Sequence, residues 1–183
     1  ISFSLSIAYL VVSLFKSSKN SMAHFDIKNY TAAPLMMSSV IEFEGYSCQE
    51  VFDIMGDPDK IPDWYLLAKE VKIHQPVGEE EPSFNVEFTF FGDVFEEILF
   101  WDAPNRYVYK AAGKDFPITD YVAEICVESH GEKVGKMTWN IYYSKIAGDH
   151  FQKILPLILP TINQKSMENL SPLIGGTAVS VTS

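Results

Sequence analysis

A glutamate set among phenylalanines is the most chemically pointed feature of the chain. Residues 83–101, SFNVEFTFFGDVFEEILFW, alternate apolar and polar side chains as a β-hairpin does. Gly92-Asp93 fits a two-residue turn. Such a turn opposes Phe91 to Val94, Phe90 to Phe95 and Phe88 to Glu97, and directly opposed residues share a sheet face. One face then carries Phe84, Val86, Phe88, Phe90, Phe95, Leu99 and Trp101, and Glu97 with them. A carboxylate on an apolar wall is costly unless it is paired, hydrogen-bonded or protonated, and such groups are enriched at functional sites. Glu97 is therefore the candidate acid/base or ligand anchor. Two plainer readings stand beside it. A one-residue slip would put Glu96 inside and Glu97 outside, and the following hairpin could pair Glu97 with Lys110 or Arg106.

Further candidates have polar tips on apolar bodies, the kind of side chain that orients a ligand. Tyr121 shares a strand face with Ala123, Ile125 and Val127. Trp139 and Tyr143 share one with Met137 and Ile141. Tyr121 is a second candidate for acid/base work, and each of these rings could equally be plain core. Trp64 and Tyr65 follow Pro62, where they could border a cavity or pin a helix to the sheet. Ile158 and Ile162 recur at helical spacing near the C-terminus and would close a cavity from the other side. The histidines fall at a lead-in, a strand end, a hairpin tip and a helix start, and no Ser-His-Asp or Cys-His arrangement follows from spacing. There is no CxxC, no HExxH and no clustered Cys/His spacing, so no metal or other cofactor is expected.

These residues need elements to hold them. Residues 38–44 alternate as a strand. Ser47 and Glu50 form an S-x-x-E capping box for a short helix that Gly56 stops, and Asp57-Pro58 opens a second one. Strands follow over 69–75, 83–91, 94–101, 106–111, 118–129 and 134–144. The end is helical, with Phe151, Ile154, Leu155, Ile158, Ile162, Leu170 and Leu173 in phase, Asp149 placed to cap it and Gly175-Gly176 to end it. Pro156 and Pro160 predict a bend or step.

The stretches VFDIMGDPDKIPDWYLLAKEVKIH (51–74) and FNVEFTFFGDVFEEILFWDAPNRYVYK (84–110), with the terminal helix, resemble the polyketide cyclase/dehydrase-like proteins of the START-like SRPBCC superfamily, a fold similar to that of the birch-pollen allergen. The resemblance spans roughly 38–174 and lies in element order and apolar positions. It implies an α+β helix-grip fold: a seven-stranded antiparallel sheet wrapped around a long C-terminal helix, with two short helices after the first strand. It also implies a cavity under that helix for a small hydrophobic ligand, lipid-, polyketide- or aromatic-like. Ring-closing or dehydrating enzymes of the superfamily give the alternative, with the pocket carboxylate as acid/base. A membrane-tethered lipid carrier is a third reading.

Composition supports one domain at 38–176, preceded by a lead-in at 22–37 and followed by a loose tail at 177–183. A net charge of −10 makes nucleic acid a poor partner and gives the domain itself no strong pull toward anionic membranes. Cys48 and Cys126 read as free thiols in a reduced compartment, hence a cytoplasmic location. The alternative is export or membrane anchoring through residues 1–21, whose apolar run at 3–15 suits a signal core better than a span. Those residues are expected to add nothing to the core. The sequence sets no oligomeric state.

Overall fold

The computed structural model describes residues 25–74 and 82–183. The expectations for residues 1–21 lie outside that range. Strand β1 (Leu35–Glu44) leads into helix α1 (Cys48–Met55) and, after a 3-10 turn at Pro58–Lys60, the short helix α2 (Ile61–Trp64). The capping box forms as the sequence predicts: Glu50 N–H donates to Ser47 Oγ, and Ser47 N–H donates to Glu50 Oε2 at 2.8 Å. The chain then runs through β2 (Ala68–His74), β3 (Ser83–Phe88), β4 (Gly92–Asp102), β5 (Arg106–Ala112), β6 (Ile118–Thr119), β7 (Tyr121–Gly131), β8 (Val134–Tyr142) and β9 (Lys145–Ile146). Helix α3 (Asp149–Leu170) and strand β10 (Gly176–Thr182) complete it.

Among the described residues the main sheet has eight antiparallel strands in the order β10-β1-β8-β7-β5-β4-β3-β2, and β6 pairs with β9 separately. The eighth strand corrects the expectation of a loose tail. Residues 178–182 alternate in burial, and Val179 pairs with Ile41 across β1. Thr177, Val179, Val181 and Thr182 are residues that fit a pleated edge. Gly175, at φ 67°, turns the chain out of the helical end and into this strand.

Helix α3 is one uninterrupted run through Pro156 and Pro160, which corrects the expected step. Each proline removes a backbone donor, but burial of Leu155, Leu159, Met167 and Leu170 on both sides holds the helix together. Its N-cap is Gly148, with Asp149 as the first helical residue and no side-chain cap. The buried stripe is Leu155, Leu159, Ile162, Asn163, Ser166, Met167 and Leu170, so Ile158 falls on the outer side and is 40% exposed.

The β3–β4 hairpin departs from the expected register. Phe88 pairs with Gly92, Val86 with Val94, and Phe84 with Glu96. The connection is the three-residue loop Thr89–Phe91, and Gly92, at φ 62°, supplies the left-handed residue. Phe90 therefore sits at a loop tip, 70% exposed, while Phe91 is buried beside Phe116 and Phe151. The shift is by an odd number of residues, so it reverses the faces of β4 up to Ile98.

Candidate functional site

The reversal turns Glu96 inward and Glu97 outward. Glu96 stands between Phe84 on β3 and Ala111 on β5, its two directly opposed neighbours, and is 7% exposed. Glu97 opposes Lys110 and forms an ion pair with it, Nζ to Oε1 3.0 Å, at the surface. The carboxylate on the apolar wall is thus Glu96, and Glu97 takes the ion-pair role. Glu97→Gln is expected to leave stability within about 0.5 kcal/mol of the parent, because an exposed pair is worth little. Ligand affinity should stay unchanged, and thermal melts with a parallel titration check both.

A cavity of about 310 Å³ lies between this sheet face and α3. Strand β5 gives it Tyr107, Tyr109 and Ala111; β7 gives Tyr121 and Ile125; β8 gives Trp139 and Ile141, with Tyr143 just beyond its end. From α3 come Leu159 and Asn163, and from the α2 region Trp64 and Tyr65. Trp101 also faces in. A bulge between Ile98 and Phe100 shifts β4 by one residue, so Trp101 pairs with Tyr107 on the inner face. Without the bulge, the corrected register would have sent it out.

Of the residues singled out in the sequence, Phe88, Trp101, Tyr121, Trp139, Tyr143 and Trp64 border the cavity. Glu97, Phe90 and Ile158 do not, and Ile162 is buried at 9% exposure without lining it. Tyr107, Tyr109, Leu159 and Asn163 were not singled out. The alternation Tyr107, Tyr109, Ala111 was the available signal for the first two.

The aromatic wall is closely knit. Trp64 and Trp139 meet edge to face at 5.8 Å, and Tyr65 packs the same way on Trp139 at 5.8 Å and on Phe88 at 5.5 Å. Tyr107 donates its hydroxyl to the Met55 carbonyl at 2.6 Å, which ties the wall to the end of α1. The Tyr109 and Tyr121 rings lie side by side, centroids 6.3 Å apart.

Two buried carboxylates show what is particular about Glu96. Glu124, 5% exposed on the opposite sheet face, meets Arg106 Nε at 3.1 Å and accepts from Asn140 Nδ2 and the Tyr142 hydroxyl. Phe25 stacks over the Arg106 guanidinium at 4.0 Å and shields that cluster. Glu96 has no cationic partner among the described residues. Burial alone pushes its pKa up to about 8, so the group is a neutral acid at pH 7 and a hydrogen-bond donor. Burial also holds the Tyr65, Tyr107, Tyr109 and Tyr121 hydroxyls well above their ordinary range, and the nearby Glu96 charge adds to this. Among the described residues, no group of three or more His, Cys, Asp and Glu could hold a metal. No helix among them is long and apolar enough to cross a membrane.

An antiparallel sheet closed by a long C-terminal helix over an aromatic cavity defines a START-like, helix-grip protein. The chain belongs to the polyketide cyclase/dehydrase and lipid transport family, whose model matches residues 37–174. No curated protein matches it. Among solved structures it is similar to the Zhui aromatase/cyclase of a Streptomyces species, with a TM-score of 0.60 and 9% identity, covering 77% of this chain and 92% of that one. It is also similar to norcoclaurine synthase of Thalictrum flavum in complex with dopamine and hydroxybenzaldehyde, with a TM-score of 0.56 and 16% identity over 86% of this chain and 96% of the other. A START superfamily protein of Mycobacterium smegmatis aligns with a TM-score of 0.54 and 12% identity over 76% and 94%. At these identities the likeness is one of fold.

Proposed function

We propose that the chain binds a small hydrophobic molecule in the cavity between the sheet and α3. The observation that carries this is the cavity itself: about 310 Å³ of space with largely apolar walls, rich in aromatic rings, and with its charged residues mostly at the rim. Well-packed interiors leave few voids larger than a water molecule, whereas ligand sites are concave, apolar and equipped with a small number of polar anchors. Family membership and the likeness to an aromatase/cyclase and a START protein support the same reading.

The chain's three tryptophans, Trp64, Trp101 and Trp139, all border the cavity, so their emission reports its occupancy. Titration with a fluorescent hydrophobic probe should quench or shift that emission. Ala111→Phe projects a ring into the space opposite Glu96 and should weaken probe binding by about tenfold or more. Its stability cost should be about 1–3 kcal/mol, measured by denaturant unfolding. Saturable binding that Ala111→Phe leaves untouched would place the probe elsewhere and sink the proposal.

A second reading is favoured by one observation. A general acid works best with a pKa near the operating pH, and Glu96 sits there. Cyclase- or dehydratase-type chemistry would use Glu96 as the acid/base, with Tyr121 as a hydrogen-bond donor that stays protonated. Turnover of an aromatic polyketide-like substrate that survives Glu96→Gln would remove this reading.

A further inference from the structure

The cavity holds an acid and, among the described residues, no interior cation. Its cationic lining residues are Lys60 and, when protonated, His74, both exposed at the rim. Lys60 already lies 4.0 Å from Asp63, and Asp57 and Asp59 share that rim, so the approach is acidic. Inside, Glu96 faces aromatic groups: Phe84 beside it on β3, and Tyr65, Tyr109 and Tyr121 near enough to feel its charge. The buried Glu124 carries its own arginine, whereas Glu96 lacks one. An anionic ligand head would enter this space without a counterion and beside a carboxyl group. A cationic head would find both a carboxylate and ring faces, the two groups that attract an ammonium in a desolvated site.

We infer that the cavity takes a hydrophobic amine, whose ammonium pairs with Glu96 and lies against the surrounding rings, and that it rejects the matching carboxylate. The inference rests on the cavity-binding reading and names the ligand class for it. Protons balance as follows. At neutral pH the empty site holds Glu96 as the neutral acid and the free amine is an ammonium ion. The pair that forms is ammonium–carboxylate, so the Glu96 proton passes to solvent.

The test is calorimetric titration of the full chain, at neutral pH, with naphthylethylamine, naphthylethanol and naphthylacetate, three probes on one skeleton. The amine should bind about tenfold or more tightly than the alcohol, and the acetate should give no binding heat. Titration of the amine in buffers of different ionisation heat should show release of about one proton, and the alcohol none. Glu96→Gln should erase the amine's lead over the alcohol. The proton count is read on the unaltered chain, so it stands whether or not the variant folds. Alcohol binding equal to the amine's, acetate binding, absence of proton release, or an amine lead that survives Glu96→Gln each overturns the inference. If the alcohol binds without an amine preference, cavity binding stands and only the ligand class falls. If none of the three binds, both fall.

Discussion

Glu96→Gln should leave the empty protein's stability nearly unchanged at about pH 4 and raise it by several kcal/mol at about pH 9. The reason is the proton that burial forces Glu96 to keep. In the unfolded chain the carboxyl ionises near its ordinary value of 4.5, whereas in the fold it holds its proton up to about 8. Between these values the folded state binds more protons than the unfolded one. Stability therefore falls as pH rises through that window and levels off above it. A tenfold difference in proton affinity between the two states is worth about 1.4 kcal/mol, which puts the full loss on the order of 4–5 kcal/mol. A glutamine keeps the shape, carries no charge to desolvate and shows no such loss. Melting temperatures of parent and variant should thus coincide in mild acid and separate by about 10 °C in mild base, since about 1 kcal/mol moves a domain of this size by 2–4 °C. A separation that stays constant with pH would mean that Glu96 is not a desolvated acid. Glu97→Gln, one residue along, should leave the melting temperature nearly unchanged, because its carboxylate meets Lys110 at the surface.

That single-residue contrast also marks how far the sequence could be read. Element order, the Ser47 cap and the faces of β7 and β8 were legible because periodicity and capping are local signals. So was the presence of one carboxylate on the aromatic wall, since either register places one there. Which glutamate it is depended on a loop. Gly92-Asp93 has the composition of a two-residue turn, but the chain turns earlier, at Thr89–Phe91, and uses Gly92 to re-enter the ladder. Nothing in the alternation distinguishes these, because Phe88, Phe90 and Phe91 are equally apolar. Trp101 reached the cavity wall by a different route from the one expected, through the bulge after Ile98. In α3, the phase of a nearly all-apolar stretch, ILPLIL, could not be fixed by hydropathy. Packing against the sheet selects Leu155 and Leu159 and leaves Leu157 and Ile158 outside. Strand β10 was hidden for a related reason: a short edge strand of small and β-branched residues takes its structure from β1, its partner.

Phe52→Ala should cost about 3–5 kcal/mol and lower the melting temperature by about 10 °C or more. Phe52 is fully buried on α1 and meets the cavity wall from behind, edge-on to Trp101 at 4.9 Å and to Tyr107 at 5.7 Å. The capping box starts α1 at Ser47, which presents Val51, Phe52 and Met55 to the sheet. Gly56 then ends it with room for the Trp101 ring, which a Cβ at that position would meet at 2.5 Å. Tyr107 fastens the same corner through its bond to the Met55 carbonyl. Removing the phenyl ring therefore empties a volume that neither the helix nor the sheet can fill, and it takes away two favourable edge contacts worth about 0.5–1.5 kcal/mol each. The effect should reach the ligand site as well. Trp101 and Tyr107 line the cavity and would lose their backing, so hydrophobic-probe affinity should fall even at temperatures where the variant is fully folded. Denaturant unfolding gives the stability change, and probe titration well below the melt gives the second effect. A stability loss under about 1 kcal/mol would show that α1 is not what holds this wall. A full stability loss with unaltered probe affinity would show that the ligand lies toward the β3 and α3 side, away from Trp101.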